Sequence, residues 1–133
     1  MNMRINFPKD DSSAHWTSHV KNKMMFYGLS EQKIRSVMRN PKRREDGIAA
    51  GTIAVMQRND KPKRKEEIWV MYATNLKLKS QNEKLQSRVE KLLGKPRTII
   101  ISAWRYPGIS KIRDGVPMPD GVAEELERFL NTL

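Results

Sequence analysis

A chain of 133 residues, 38% of them hydrophobic, has room for one domain and one core and little for a second. Its 26 Lys and Arg outnumber 15 Asp and Glu for a formal charge of +11, and the excess is lopsided: residues 1–65 hold 15 basic and 6 acidic side chains, the remainder 11 and 9. The absence of cysteine excludes disulfides and thiolate chemistry, while a concentrated basic field favours polyanions, nucleic acid first among them.

Taken in chain order, residues 3–7 suggest a short edge strand ended by Pro8, and Asp10-Asp11-Ser12-Ser13 offers cap chemistry for a helix. Trp16, Val20, Met24 and Tyr27 form one apolar helical stripe, with His15, His19 and Lys23 beside it. Gly28 ends that helix, Ser30 caps a second whose buried face is Ile34, Val37 and Met38, and Asn40-Pro41 closes it. The charged link Lys42–Gly47 leads to two strands, Gly51–Arg58 and Glu67–Ala73, joined by a basic hairpin tip at Asn59–Lys65. A third helix is expected near residues 80–93, where Ser80 and Glu83 fit a capping box and Leu85, Val89, Leu92 and Leu93 form a stripe.

The run Ile99-Ile100-Ile101 has no polar partner on either face, so the strand at 97–104 should be covered on both sides. It empties into Trp104, Arg105, Tyr106, Pro107 and Gly108, which reads as a functional rim. Pro117 and Pro119 interrupt the next segment, and Asp120 caps a last helix, about 120–132, with Val122, Leu126, Phe129 and Leu130 on its apolar face. The expected fold is α+β in one domain over 1–133. Helices pack on a small, mostly antiparallel sheet in the order β-α-α-β-β-α-β-α, and the strand at 97–104 is open to parallel or antiparallel placement.

No window approaches the ~18–20 apolar residues of a membrane span, and the first eight residues lack the apolar core of a signal peptide. The expectation is a soluble cytoplasmic protein with no membrane partner.

Chemistry gathers in three places. His15 and His19, spaced i and i+4, lack the neighbouring Glu of a His-Glu-x-x-His motif, so no metal or other cofactor is expected; they read as acid/base or phosphate-contacting groups, or as boundary histidines. Arg58, Arg105 and Tyr106 lie at strand ends, where cations and a phenol serve a metal-independent phosphodiester cleavage. Lys61, Lys63, Arg64 and Lys65 in the hairpin tip, with Arg44 in the preceding link, are phosphate contacts by charge. Trp104 is a candidate stacking platform beside Arg105.

The succession His15-Trp16-Thr17-Ser18-His19, Lys23-Met24, Tyr27-Gly28-Leu29-Ser30, Asn40-Pro41 and Ile101-Ser102-Ala103-Trp104-Arg105 resembles a small domain family related to the RelE-like and BrnT-like toxins of toxin-antitoxin systems. The resemblance covers about residues 13–106 and leaves the C-terminal helix outside. It implies a RelE/BrnT-like α+β fold and a toxin-like, metal-independent endoribonuclease acting on RNA rather than DNA, neutralised by an acidic antitoxin-like protein. Carried over by position, it implies roles for His15, His19, Lys23, Arg58, Arg105 and Tyr106. The basic hairpin and the helix at 80–93 depart from the family's short meander, and kinship of fold does not carry activity. Two other readings stay open: a non-catalytic nucleic-acid-binding module and a protein-interaction subunit.

Overall fold

The computed structural model describes residues 8–48, 51–74, 91, 97–112, 115–118 and 121–132. The strand expected at 3–7, the helix at 80–93 apart from Lys91, and the Asp120 cap lie outside the described residues.

The chain enters through a short strand, β1 (Ala14–Trp16), followed by helices α1 (Ser18–Tyr27) and α2 (Glu31–Arg39). Strands β2 (Arg43–Asp46), β3 (Ile53–Arg58), β4 (Glu66–Thr74) and β5 (Thr98–Pro107) follow, then a helix α3 (Val122–Thr132). The strands form one sheet in the order β1-β5-β4-β3-β2. Neighbours β2–β3, β3–β4 and β4–β5 are antiparallel and β1–β5 is parallel, so the expected α+β class holds with a mixed sheet.

Trp16 belongs to β1 rather than to the first helical stripe. The Asp10 carboxylate accepts from the Trp16 amide, and the Asp11 carboxylate accepts from the amides of Ser13 and Ala14, which holds this stretch extended. The helix begins two residues later, where the Thr17 hydroxyl accepts from the Val20 amide and also donates toward the carbonyls of Ile100 and Ile101 on β5. One buried side chain thus caps α1 and ties it to the sheet. Thr17→Ala should cost about 1–2 kcal/mol by removing the cap, with Thr17→Ser recovering most of it, as read by denaturant midpoints.

Gly28 ends α1 in the left-handed region at φ 66°, and the Ser30 hydroxyl caps α2. Part of the charged link at 42–47 is itself a strand, β2, paired from Arg43↔Met56 to Asp46↔Ile53. The helical hairpin covers one face of the sheet, over Val55, Ile68, Val70, Ile100 and Ala103. Leu126 and Phe129 of α3, with Val116 and Met118, cover the other, over Met56, Trp69, Met71, Ile99, Ile101 and Trp104. Both faces of the Ile-rich strand are therefore buried, as its composition requires. Among the described residues, no helix is long and apolar enough to cross a membrane.

Candidate functional site

The register of the β3–β4 hairpin and of β5 brings five polar side chains to one end of the sheet. Arg58 is opposite Glu67, Glu67 opposite Tyr106, and Ile68 opposite Arg105. Because successive side chains on a strand point to opposite faces, these residues divide into two clusters rather than one.

On the face under the helical hairpin, Arg105 donates from Nε to the carbonyl of Tyr27 (2.7 Å), from Nη1 to Glu66 Oε2 (2.9 Å) and from Nη2 to the carbonyl of Gly28 (3.3 Å). Asn59 Nδ2 donates to the same Glu66 oxygen at 3.0 Å. On the opposite face, Arg58 Nη1 donates to Glu67 Oε2 (3.1 Å) and the Gly108 carbonyl (3.2 Å), while its remaining nitrogens hold Asp60. Glu67, 1% exposed, also accepts from Trp69 Nε1 (3.0 Å), the Ser110 hydroxyl (2.6 Å) and the Ser110 amide (3.1 Å).

Burial by itself would push both carboxyls up, yet both lie below the usual glutamate range. For Glu66 the hydrogen bond from Asn59 and the Arg105 charge outweigh desolvation; for Glu67 the bonds from Ser110 and Trp69 do, with Arg58 adding to them. Hydrogen bonds donated to Asp60 push the Arg58 guanidinium up against its own desolvation. Both carboxylates are ionised at neutral pH and hold no proton to give. Each arginine is matched by an acid within the protein.

Between the C-terminal end of α1 and the hairpin lies an open cleft of about 430 Å³, lined by Tyr27, Asn59, Lys61, Arg64, Glu66 and Arg105. Burial raises the Tyr27 phenol above its ordinary value, so it stays protonated. Paired Lys61–Arg64 backbone bonds of 2.7 and 3.1 Å close the tip of the hairpin, and all of Lys61–Lys65 is exposed. Of the cations of this loop, Lys61 and Arg64 line the cleft.

The other expected residues are distributed elsewhere. His19 is half-buried on α1, stacked on Phe129 of α3 with ring centroids 6.0 Å apart, and its Nε2 is buried without a partner. It lies about 12 Å along the helix axis from Tyr27, at 1.5 Å per residue. Lys23 pairs with Glu125 of α3. His15 contacts the Asp10 carboxylate at the far end of β5, opposite Ile99, about 20 Å from Arg105 at 3.3 Å per strand residue. Arg44 is exposed on the edge strand β2, and Tyr106 packs partly buried toward Trp69 and Trp104. Trp104 corrects the sequence expectation of a base-stacking platform: it is fully buried, parallel to Trp69 with centroids 6.0 Å apart, and donates from Nε1 to the Pro117 carbonyl. Neither of its faces is open to a base.

Sequence reasoning passed over Glu66, Glu67, Asn59, Ser110 and Arg43. Arg43 lies 5.1 Å over the Trp69 ring and donates to Glu45, the Ser110 hydroxyl and the Gly115 carbonyl. Two consecutive acids placed directly after a lysine-rich tip and at the head of an apolar strand were the available signal. Among the described residues, no three His, Asp or Glu side chains gather as a metal site.

Burial sets a measurable pH dependence at His19. Desolvation lowers its pKa more than Glu125 raises it, with Lys23 adding to the lowering. The unfolded chain therefore takes a proton near pH 6.5 that the folded one refuses, and stability should fall as pH drops through that value. His19→Phe should flatten this limb of the stability profile between pH 7 and 5, measured by urea midpoints.

In comparisons with protein families, curated proteins and solved structures, the chain matches none.

Proposed function

We propose that the chain is a nucleic-acid-binding domain whose contact surface is the β3–β4 hairpin tip and the adjoining cleft. One observation carries this reading: Lys61, Lys63, Arg64 and Lys65 are all exposed on one short turn beside a polar cleft. Among the described residues no acid pairs with these four, whereas Asp60 and Glu67 pair with Arg58 and Glu66 with Arg105. A cluster of this kind holds phosphates and releases their counterions, which gives affinity without sequence choice. Preference for RNA, a cytoplasmic location and an acidic antitoxin-like partner belong to this proposal through the resemblance to RelE-like and BrnT-like toxins.

The narrower form of the proposal is a toxin-like, metal-independent endoribonuclease using Arg58, Arg105 and Tyr106. It draws support from their place at one end of the sheet, Arg58 and Tyr106 on one face and Arg105 on the other. Cleavage also needs proton transfer at the scissile phosphate, and His19 and His15 stand away from that end. Binding without cleavage is thus the favoured outcome.

The test is a titration of the protein against labelled single-stranded RNA and duplex DNA in EDTA at several salt concentrations. The expected result is RNA binding whose logarithm falls linearly with the logarithm of salt, with the RNA left intact. Absence of binding overturns the proposal. Cleavage in EDTA that Arg105→Lys abolishes, with folding preserved, establishes the ribonuclease form instead.

A further inference from the structure

A second cavity, of about 230 Å³, is lined by the later half of α2, by β1 and by the head of β5. It belongs to the other end of the sheet, since Thr98 stands about 23 Å along β5 from Arg105 at 3.3 Å per residue. Ala14, Met38 and Ile100 give it an apolar lining, and Thr98 lies on the same strand face as Ile100. Arg35 and Arg39 line it too. Residues four apart on a helix are neighbours on one side of it, so two guanidiniums share this cavity and repel each other. Arg35 lies over the Trp16 ring, 5.3 Å from its centroid, and its acids are solvent-exposed and loosely placed, Glu31 at 3.4 Å and Asp11 at 3.7 Å. Among the described residues no acid pairs with Arg39.

We propose that this cavity binds a small carboxylic acid with a ring-sized apolar body, its carboxylate held by Arg35 and Arg39 and its body packed on Ala14, Met38 and Ile100. The size fits, because an apolar cavity of about 150 Å³ already holds benzene, and the remaining space admits a carboxylate. A carboxylate matches the planar fork of a guanidinium, and one anion beside two of them removes their mutual repulsion. The stacking of Arg35 on Trp16 holds that side chain in place before a ligand arrives, which lowers the ordering cost of binding. The apolar lining favours this occupant over a bare phosphate, whose oxygens find no partner in Met38 or Ile100. The site stands apart from the hairpin tip, so its occupancy is independent of nucleic-acid binding.

The experiment is a calorimetric titration of the whole protein with benzoate as the probe, set against acetate, benzyl alcohol and inorganic phosphate. Benzoate should bind saturably with a Kd in the millimolar range or tighter. Acetate, which lacks the apolar body, and benzyl alcohol, which lacks the charge, should each bind roughly 10-fold more weakly or not at all. Arg39 is exposed, so Arg39→Ala should fold as wild type does and should weaken benzoate binding by roughly 10-fold, the loss of one charge-assisted hydrogen bond. Arg44→Ala, which removes the same charge outside the cavity, should leave benzoate affinity unchanged. Met38→Trp should fill the cavity and abolish binding, with a thermal midpoint to show that it is folded. Absence of benzoate binding overturns the proposal. So does phosphate that binds as tightly as benzoate, an Arg39→Ala variant that binds benzoate as wild type does, or an equal loss in Arg44→Ala. None of these results bears on the RNA titration, whose outcome is read separately.

Discussion

Replacing Glu67 with alanine should lower the melting temperature by about 10 °C, the largest stability effect expected of any single polar residue at the rim. Glu67 is buried and accepts four hydrogen bonds, from Arg58, Trp69 and the amide and hydroxyl of Ser110. Truncation leaves the Trp69 indole N–H and the Ser110 amide without their acceptor, takes from Arg58 the buried one of its two acids, and frees the segment after β5. Removing one partner of such a buried pair costs about 3 kcal/mol, and a domain of this size loses about 3–4 °C per kcal/mol. Glu67→Gln tests charge against shape. It keeps an acceptor oxygen but turns an amide toward the donors, so it should fall between wild type and alanine.

The same residue governs acid sensitivity. Its pKa is depressed in the folded protein, so its contribution is complete above the unfolded value near 4.5 and is lost as pH falls through the folded value below that. In Glu67→Ala this part of the acid limb should disappear, and urea midpoints between pH 5 and 3 would show a shallower decline.

The second large effect concerns binding and leaves stability alone. Removing Lys61, Lys63, Arg64 and Lys65 together by alanine should reduce the slope of log affinity against log salt by about 3, since each single-strand phosphate contact contributes about 0.7. Extrapolated from molar salt to 0.15 M, this slope change is a loss of about 200-fold in affinity for single-stranded RNA. The four side chains are exposed, so the thermal midpoint should stay within a few degrees of wild type. An unchanged slope would mean that the hairpin tip does not touch the phosphates. Arg44→Ala serves as the comparison, an exposed cation on the edge strand β2 and outside the hairpin tip.

Much of this architecture is legible from residues alone. The 3.6-residue spacing of Val20 with Met24 and of Ile34 with Val37 marks two real helices, and the unbroken Ile99–Ile101 run marks a strand buried on both faces. What escaped was short or depended on register. β1 is three residues long and β2 four, too few for a period to show, and Trp16 sits four residues before Val20 by coincidence rather than by helical geometry. At the site, Arg58 and Arg105 could be placed at one end of the sheet, but their separation onto two faces follows from the pairing of Arg58 with Glu67 and of Arg105 with Ile68. Adjacent acids normally suggest solvent. Only the β4 register puts Glu66 and Glu67 inside. Trp104 was ambiguous because its neighbours Arg105 and Tyr106 are polar, whereas its own ring belongs to the core beneath α3.

The clamp of Arg105 on α1 bears on the order in which the chain folds. α1 has no basic residue in its own last turn, and its terminal carbonyls at Tyr27 and Gly28 receive their positive partner from a residue 78 and 77 positions later. Until β5 has paired with β4, that end of the helix has no guanidinium to complete it, and a long loop must close first. The helical hairpin can collapse early on its apolar face, but its last turn is finished by the sheet. The amides around Tyr27 and Gly28 should therefore gain exchange protection late in refolding, together with those of β5 rather than with those of α2.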